Sequence, residues 1–260
     1  MKAAVVDPSA RVASGAELGG GVVIGPYCSV GPRVVLGPGC VLDSHVVIEG
    51  RTRVGENTRF FPFSSIGAVP QDLKFKGEET RLEIGRDNVI REFVTLNLGT
   101  AGGGGVTQLG DRNFLMAYSH VAHDCQVGSG VIMANAATLA GHVTVEDGAI
   151  VGAFSGVHQF CRVGREAFIG GYSVVTQDAL PFVKTVGNRA RTYGINVVGL
   201  QRRGCPATAI AGLKRAYRLL HRSGLNISQA LERIAAEIQG IPEVDLLAAF
   251  IRSAERGVTL

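Results

Sequence analysis

Branched or bulky apolar residues recur at every sixth position of the N-terminal two thirds of this chain. The series is unbroken from Val6 to Ile66, continues in phase at Ile84, Ile90 and Leu96, and resumes for twelve repeats from Leu109 to Val175. Neither an α-helix nor an alternating strand has this period. Hexapeptide repeats are typical of a parallel β-helix, in which three short strands with their turns close one triangular coil. The spacing therefore predicts that residues 18 positions apart lie above one another.

Two further positions of the repeat are restricted. The residue two before the apolar one is small or β-branched, as at Cys28 and Cys40, and the residue after it is often glycine, as at Gly25 and Gly37. We expect this small residue and the glycine to form the corner of each coil, where a large Cβ substituent or an unfavourable φ would not fit.

The repeat also divides the chain into regions. It is interrupted at residues 68–81 and 99–107, where loops must leave the prism, and such loops often carry function. Helical spacing begins at Pro206 and predicts three amphipathic helices: the first ends at Gly224, the second has Ser228 as N-cap, and the third begins at Pro242. The sequence thus predicts a mainly β fold, with a β-helix domain in residues 1–180. Residues 181–260 are predicted to be a connecting segment and a C-terminal α-helical domain that covers the open end of the solenoid.

Composition agrees with a solenoid. Glycine accounts for 36 of 260 residues and aromatic residues for only 6%, as suits a narrow core. No apolar run is long enough to span a membrane and no signal peptide is apparent, so we expect a cytoplasmic protein without an integral membrane segment. Four of the five cysteines occupy the same small repeat position, which predicts buried, reduced thiols and not a disulfide or metal framework: Cys28, Cys40, Cys125 and Cys161.

The net charge of +4 is unevenly distributed. Residues 179–231 contain no Asp or Glu, so the rest of the chain carries a net negative charge. This pattern predicts a binding surface for an acidic partner. Nucleic acid is disfavoured because no recognition motif or interleaved aromatic pattern accompanies the charge. The segment contains nine basic residues: Lys184, Arg189, Arg191, Arg202, Arg203, Lys214, Arg215, Arg218 and Arg222.

Histidines are the main candidates for chemistry. His123, His142 and His158 fall within one residue of a single line when multiples of 18 are added, and Asp124 is predicted to stack against His142. Three roles are compatible with such a column: a three-histidine zinc site, a general base among polar substrate-binding groups, or structural stacking.

Several motifs resemble those of the acyl-carrier-protein-dependent UDP-N-acetylglucosamine O-acyltransferases that begin lipid A biosynthesis. They are AVPQDLKFKGEETR, HVAHDCQVG, NAATLAGHVTV, GVHQFCRVG and GLQRRG, and the resemblance covers essentially the whole chain. It implies a left-handed parallel β-helix, an exception to the right-handed crossover rule, assembled as a homotrimer with active sites between subunits. It also implies transfer of an (R)-3-hydroxyacyl chain from the 4′-phosphopantetheine of acyl carrier protein to the sugar 3-position. The enzyme itself would need no cofactor and no metal.

The resemblance assigns roles residue by residue. His123 would be the general base, Asp124 would orient its imidazole, and the backbone N–H of Gly141 would stabilise the oxyanion. In the implied substrate site, the first interruption contacts the sugar and the acyl 3-hydroxyl, the histidines and Gln159 line the cleft, and the paired arginines face phosphate. Gly171 would leave the end of the acyl groove open to a long chain, with Arg189 the next candidate for this role. The implied substrate-binding residues are Gln71, Asp72, Lys74, His120, His142, His158, Gln159, Gly171, Arg189, Asn196, Arg202 and Arg203.

Two positions depart from the family pattern. Asn97 occupies the place of a family histidine, and Val198 that of a glutamate, both near the implied nucleotide-sugar site. They leave open an acceptor with a 3-amino group in place of the hydroxyl. Three further interpretations also stay open: a γ-type carbonic anhydrase with a three-histidine zinc site, an N-acyltransferase of the same pathway, and a purely structural solenoid.

Overall fold

The hexapeptide repeats form short parallel strands in the computed structural model, which describes residues 3–260. In Val23–Ile24, for example, Ile24 is buried inside the prism and Val23 faces outward. Val23 pairs with Val41, 18 residues further along, and this spacing recurs throughout the regular coils. The predicted left-handed parallel β-helix is therefore confirmed.

Three sheets, called A, B and C, make the faces of the prism, and their strands are parallel except for the last two of sheet A. Sheet A contains β1 (Val5–Val6), β4 (Val23–Ile24), β7 (Val41–Leu42), β10 (Arg59–Phe60), β13 (Val89–Ile90), β16 (Phe114–Leu115), β19 (Ile132–Met133), β22 (Ile150–Val151), β25 (Phe168–Ile169), β27 (Val183–Val186) and β28 (Arg191–Ile195). Sheet B contains β2 (Arg11–Val12), β5 (Ser29–Val30), β8 (Val47–Ile48), β11 (Ser65–Ala68), β14 (Thr95–Asn97), β17 (His120–Val121), β20 (Thr138–Leu139), β23 (Gly156–Val157) and β26 (Val174–Val175). Sheet C contains β3 (Glu17–Leu18), β6 (Val35–Leu36), β9 (Arg51–Val54), β12 (Arg81–Ile84), β15 (Val106–Leu109), β18 (Gln126–Val127), β21 (Thr144–Val145) and β24 (Arg162–Val163).

The chain turns from sheet A to B, from B to C and from C to A, at edges that we call A/B, B/C and C/A. Both predicted interruptions leave the prism at the B/C edge. Thr95 pairs with Ser65 at a separation of 30 residues and with His120 at a separation of 25, in place of 18. We call residues 68–81 the first excursion and residues 99–107 the second. Because the extra residues lie outside the coils, the strands on either side keep their pairing.

The corner geometry differs from the prediction. Gly25, which follows an apolar position, does not have a positive φ. It is required by close packing, because a Cβ there would clash with the carbonyl oxygen of Asp43 in the next coil. The left-handed residue is instead the third one after the apolar position, and it is usually not glycine, as at Tyr27 with φ 58° and His45 with φ 58°.

The C-terminal region contains four helices: α1 (Val197–Arg202), α2 (Ala207–Arg222), α3 (Ile227–Glu237) and α4 (Pro242–Arg252). The three predicted helices are confirmed, whereas α1 and the antiparallel ribbon of β27 and β28 were not predicted. Asn226, and not Ser228, is the N-cap of α3. Its side chain accepts a hydrogen bond from the N–H of Gln229, and its own N–H donates to the side-chain oxygen of Gln229, which completes a capping box.

Two hydrophobic clusters correspond to these regions. One fills the prism as far as Ala179, and the other, between Leu180 and Val258, packs the ribbon against α1–α4. None of the helices within residues 3–260 has the length and apolar character needed to cross a membrane.

Arg162 joins the last coil to the helical region. Its Nε donates a 2.7 Å hydrogen bond to Asp178, whose side chain is almost fully buried. The two Nη atoms donate to the Ser253 hydroxyl and the Phe250 carbonyl oxygen, both at 3.0 Å. The guanidinium also lies 4.1 Å from the centre of the Phe250 ring. One side chain therefore connects the solenoid to α4 and the residue that follows it.

We expect Arg162→Met to lower the free energy of unfolding by about 3–5 kcal/mol, because it leaves the Asp178 carboxylate buried without its cation. Urea unfolding followed by circular dichroism measures the loss. Arg165→Met is the matched control, since the Arg165–Asp147 pair is about half exposed and should contribute less than about 1 kcal/mol. Equal effects of the two substitutions would contradict this account.

Candidate active site

Several of the polar groups singled out by the sequence lie on the B/C edge. The first excursion, the second excursion and the edge residues that follow β17, β20 and β23 occupy successive coils there. These coils supply His123 with Asp124, then Gly141 with His142, then Gln159 with Phe160. The edge therefore places loops and histidines of distant sequence next to one another.

Asp124 is the centre of this group. Its carboxylate is buried, and Oδ2 lies 2.8 Å from Nδ1 of His123 and 3.7 Å from Nε2 of His142. Thr100 of the second excursion donates its backbone N–H to Oδ1 at 2.7 Å and its hydroxyl to Oδ2 at 2.6 Å. A carboxylate on Nδ1 favours the tautomer with the proton on that atom, so Nε2 of His123 is left with a free lone pair.

Gly141 lies directly against the His123 ring. A Cβ at this position would be 2.5 Å from Cε1 and 2.7 Å from Nε2 of His123, so only glycine permits the contact. Among the hydrogen bonds found for residues 3–260, none uses the Gly141 N–H. This arrangement places an imidazole nitrogen of His123 close to Gly141, whose N–H has no hydrogen-bond partner among these residues.

The predicted three-histidine line is wrong in one member. Asp124, His142 and Phe160 form one column at 18-residue spacing, and the rings of His142 and Phe160 stack at 4.4 Å. The predicted proximity of Asp124 and His142 is confirmed. His158 is exposed, and the nearest partner found for its ring is the Gln159 carbonyl oxygen at 3.2 Å. The arithmetic of 18 ignores which way an edge residue points, and a shift of one position changes the column.

A metal is a geometric possibility at this edge, but not with the predicted ligands. His123, Asp124 and His142 hold one ligand atom each within 4.8 Å of one another. His158 does not belong to this group. Both oxygens of Asp124 already accept hydrogen bonds from Thr100, and Oδ2 also lies 2.8 Å from Nδ1 of His123.

His120 lies one strand before this group. Its Nδ1 is 2.7 Å from the Thr95 hydroxyl in the coil below. Burial lowers the pKa of His120, and the charge of nearby His123 lowers it further. The lowered pKa favours the neutral form of His120.

The middle of the first excursion is largely exposed. Asp72 accepts a hydrogen bond from the N–H of Lys74 at 3.0 Å, while Gln71, Leu73 and Lys74 are exposed. No hydrogen bond or ion pair between the excursion and His123 is found within residues 3–260 of one chain. The predicted contacts of Gln71, Asp72 and Lys74 therefore do not meet the base inside a single subunit.

Asn97 holds the base of this excursion. Its side chain is buried, and Nδ2 donates to the carbonyl oxygens of Ala68 at 3.4 Å and Val69 at 3.2 Å. Two carbonyl groups at one end of the amide require the NH₂ group there. Asn97 thus acts on the backbone of the loop and does not line an open cleft, whereas Val198 is exposed on α1.

The remaining predicted residues lie on other edges. Gly171 and Arg189 are near the A/B edge, where Ala190 donates its N–H to the Val174 carbonyl oxygen. Tyr172 takes the left-handed conformation there, so a φ requirement does not explain Gly171.

At the C/A edge, Asn196 donates to the Glu166 carbonyl oxygen and caps α1. Arg203 donates to the Gly130 carbonyl oxygen, and Arg202 ends α1. One chain therefore does not bring these residues to His123.

Three residues around Asp124 were missed by the sequence analysis. They are Thr100, Gly103 and Thr107, and the Thr107 hydroxyl accepts a 2.8 Å hydrogen bond from the Asp124 N–H. The sequence did contain a signal for this contact. The coil with the second interruption has 25 residues in place of 18, so residue 99, at the start of the interruption, lies one coil below Asp124.

Known proteins with similar sequences belong to one family of acyltransferases. Residues 178–259 match the family model described as Udp N-acetylglucosamine O-acyltransferase, domain 2. The acyl-[acyl-carrier-protein]–UDP-N-acetylglucosamine O-acyltransferase of Alkalilimnicola ehrlichii is 56% identical over 196 residues, covering 75% of this chain and 76% of its own. The enzyme of the same name from Verminephrobacter eiseniae is 49% identical over 215 residues, covering 81% and 82%.

Solved structures agree along the whole chain. The UDP-N-acetylglucosamine acyltransferase of Bacteroides fragilis superimposes with a TM-score of 0.96 at 40% identity, covering 98% of this chain and all of its own. LpxA from Acinetobacter baumannii gives a TM-score of 0.88 at 44% identity, covering 100% and 99%. The similarity therefore includes both the solenoid and the helical region.

Proposed function

Because this chain belongs to the family of acyl-[acyl-carrier-protein]–UDP-N-acetylglucosamine O-acyltransferases, we propose that His123 and Asp124 carry out this transfer on the B/C edge. The chain is an acyltransferase whose substrates are an acyl carrier protein thioester and UDP-N-acetylglucosamine. In the proposed reaction the acyl group is an (R)-3-hydroxyacyl chain, the acceptor is the sugar 3-hydroxyl, and the product enters lipid A biosynthesis. The hydrogen-bonded pair beside Gly141 is the observation that carries the proposal.

The proposed mechanism begins with Nε2 of His123. This atom removes the proton of the sugar 3-hydroxyl as the oxygen attacks the thioester carbonyl carbon, and Asp124 stabilises the resulting imidazolium. The Gly141 N–H donates to the oxyanion of the tetrahedral intermediate. Collapse breaks the carbon–sulfur bond, and the thiolate of the pantetheine accepts the proton from His123. Because a thiol has a pKa of about 8.5, this leaving group does not require a strong acid.

The proposal includes no cofactor beyond the carrier protein's own 4′-phosphopantetheine, no metal, and a cytoplasmic location. Burial is the main cause that raises the pKa of the Cys125 thiol to about 12, so this thiol is protonated at neutral pH. Cys28, Cys40 and Cys161 are likewise buried free thiols, as suits a reducing compartment.

We expect His123→Gln to lower kcat by about 100-fold or more, because it removes the base but keeps a side chain of similar size. The assay measures transfer from 3-hydroxyacyl carrier proteins of several chain lengths to UDP-N-acetylglucosamine and its 3-amino analogue. An unchanged melting temperature and an unchanged mass of the assembly in light scattering would show that the variant is folded.

The same assay tests the rest of the proposal. A preference for the 3-amino analogue would replace the hydroxyl acceptor, and a preference for short donors would contradict an open groove at Gly171. Full activity of His123→Gln would remove His123 from the mechanism. Loss of wild-type activity in a chelator would favour a metal site.

A homotrimer is proposed because the outer faces of the prism differ in polarity. The outward positions of sheet C are mainly polar, whereas those of sheet A are mainly apolar, with Arg59, Lys184 and Arg191 as charged exceptions. Stacked rings also follow the A/B edge at spacings of 4.7–5.2 Å, and most of them are well exposed. A large exposed apolar surface of this kind indicates a protein interface. The stacked residues, called the aromatic ladder, are Tyr27, His45, Phe63, Phe93 and Tyr118.

A cyclic trimer with the A/B edges at its axis would bury this surface. Sheet A of one subunit would then face sheet B of the next, so the B/C edge of one would meet the C/A edge of the other. This arrangement brings His123 of one subunit towards Asn196, Arg202 and Arg203 of another, and it places Gly171 at the inner end of the groove across sheet B. The site would thus be complete only in the assembly.

We expect Phe93→Glu to reduce the mass measured by light scattering from three chains to one and to abolish transfer, because it places three carboxylates near the axis. Val35→Glu, an outward position of sheet C, is the matched control and should remain trimeric and active. An active trimeric Phe93→Glu variant would exclude this arrangement.

The acyl carrier protein is proposed to dock on α2. Lys214, Arg218 and Arg222 are one turn apart on one side of the helix and border a cavity of about 390 Å³. Within residues 3–260 no ion pair is found for these three, whereas Arg215 pairs with Glu237. Unpaired cations in a line suit an acidic partner.

We expect Lys214→Glu to raise the KM for the acyl carrier protein more than the KM for UDP-N-acetylglucosamine. The increase should be smaller at high salt, because charges are screened over about 8 Å at physiological ionic strength and over shorter distances when salt is added. Steady-state kinetics at two salt concentrations measures both constants. Arg53→Glu makes the same charge change at an outward position of sheet C, away from α2 and from the proposed subunit interface, and should alter neither. If the two variants behave alike, the carrier docks elsewhere.

A further inference from the structure

The second excursion closes over the Asp124 carboxylate. Thr100 donates twice to it, from the backbone to Oδ1 and from the hydroxyl to Oδ2, and the Asp124 N–H donates to Thr107 at the other end of the loop. Thr100 is itself buried. Both carboxylate oxygens and the backbone N–H of Asp124 are therefore hydrogen-bonded to the loop.

One glycine of the loop allows this closure. A Cβ on Gly103 would clash with the Asp124 carboxylate, whereas a Cβ on its neighbour Gly102 would meet nothing within 4 Å. Both residues belong to the same short 3₁₀ helix, Ala101–Gly103. The glycine run is therefore not uniformly flexible, because one position is in contact with the carboxylate and the adjacent one is not.

We propose that the second excursion, residues 99–107, is a cradle that aims Asp124 at His123, with Thr100 as its positioning residue. The inference rests on the proposed roles of His123 and Asp124. A free carboxylate can rotate and share its oxygens between His123 and His142, which both lie within 4 Å of Oδ2. Two donors from Thr100 fix the plane of the carboxylate, and Oδ2 then accepts from Nδ1 of His123. The extra residues of this coil thus serve the orientation of the base.

The first test compares two substitutions of Thr100. Thr100→Val keeps the shape and the backbone N–H but removes the hydroxyl donor, and should lower kcat by about 10- to 100-fold, the range for a hydrogen bond to a charged group. The KM of each substrate should stay within about twofold, because Thr100 is buried and its two donors are directed at Asp124. Thr100→Ser restores the donor and should recover most of kcat. Thr185→Val is the matched control, since this buried hydroxyl has no partner among residues 3–260.

The second test uses the adjacent glycines and remains valid if Thr100→Val does not fold. Gly103→Ala should lower kcat by at least about 10-fold with the trimer intact, whereas Gly102→Ala should retain activity within about twofold. Equal activities of the Gly102→Ala and Gly103→Ala variants would overturn the cradle. A wild-type kcat in Thr100→Val would also overturn it, as would a Thr100→Ser variant whose kcat is no higher than that of Thr100→Val.

A double-mutant cycle separates this inference from the proposed function. If Thr100 acts through Asp124, Thr100→Val should lower the activity of an Asp124→Asn variant by less than about twofold. Full additivity would show that Thr100 acts independently and would overturn the proposal. The role of His123 stands or falls separately, on the His123→Gln variant.

Discussion

Hydrogen bonds between successive coils are the interaction on which the rest of this structure depends. The N–H groups of Val23 and Gly25 donate to the carbonyl oxygens of Cys40 and Leu42 one coil further on, and the pattern recurs along the prism. Parallel pairing at this distance leaves no room for a Cβ at positions such as Gly25. It also requires a left-handed residue at many edges, which costs roughly 1–2 kcal/mol for a residue other than glycine. Stacking of rings along the edges, as between Phe93 and Tyr118, offsets part of this cost.

The same constraint explains where the candidate site can be built. Residues inserted within a strand would shift the pairing of every later coil, whereas residues inserted at an edge leave it unchanged. Both excursions use the B/C edge in this way. Asp124 and His142 have φ values of 61° and 62°, as expected for their position in the coil. Their conformation is therefore that of the ordinary edge residue, and it does not indicate strain specific to the site.

The sequence predicted the coils well because a period of six is decided by burial of one residue per repeat. It predicted the site less completely, for two physical reasons. Edge side chains diverge from one residue to the next, so His158 left the column that Asp124 and His142 share. The contacts of Thr100 depend on a loop without periodicity, and hydrophobic patterning carries no information about them. Similarly, Asn226 is the N-cap in place of Ser228 because it forms two reciprocal hydrogen bonds with Gln229. Inspection of one capping residue at a time does not identify such a pair.

The candidate groups lie on three different edges of the prism, and on each edge they are held by contacts within one chain. His123 and Asp124 are oriented entirely within one chain, by Thr100 and by the close approach of Gly141. Asn196 and Arg203 are fixed on the C/A edge by carbonyl groups of the same chain. In the proposed trimer, association would therefore align two groups that are already ordered, and little conformational entropy would be lost at the site. The base would keep its geometry in an isolated subunit, but the nucleotide-sugar contacts would not. Dissociation should accordingly impair acceptor binding without disturbing the hydrogen bond between His123 and Asp124.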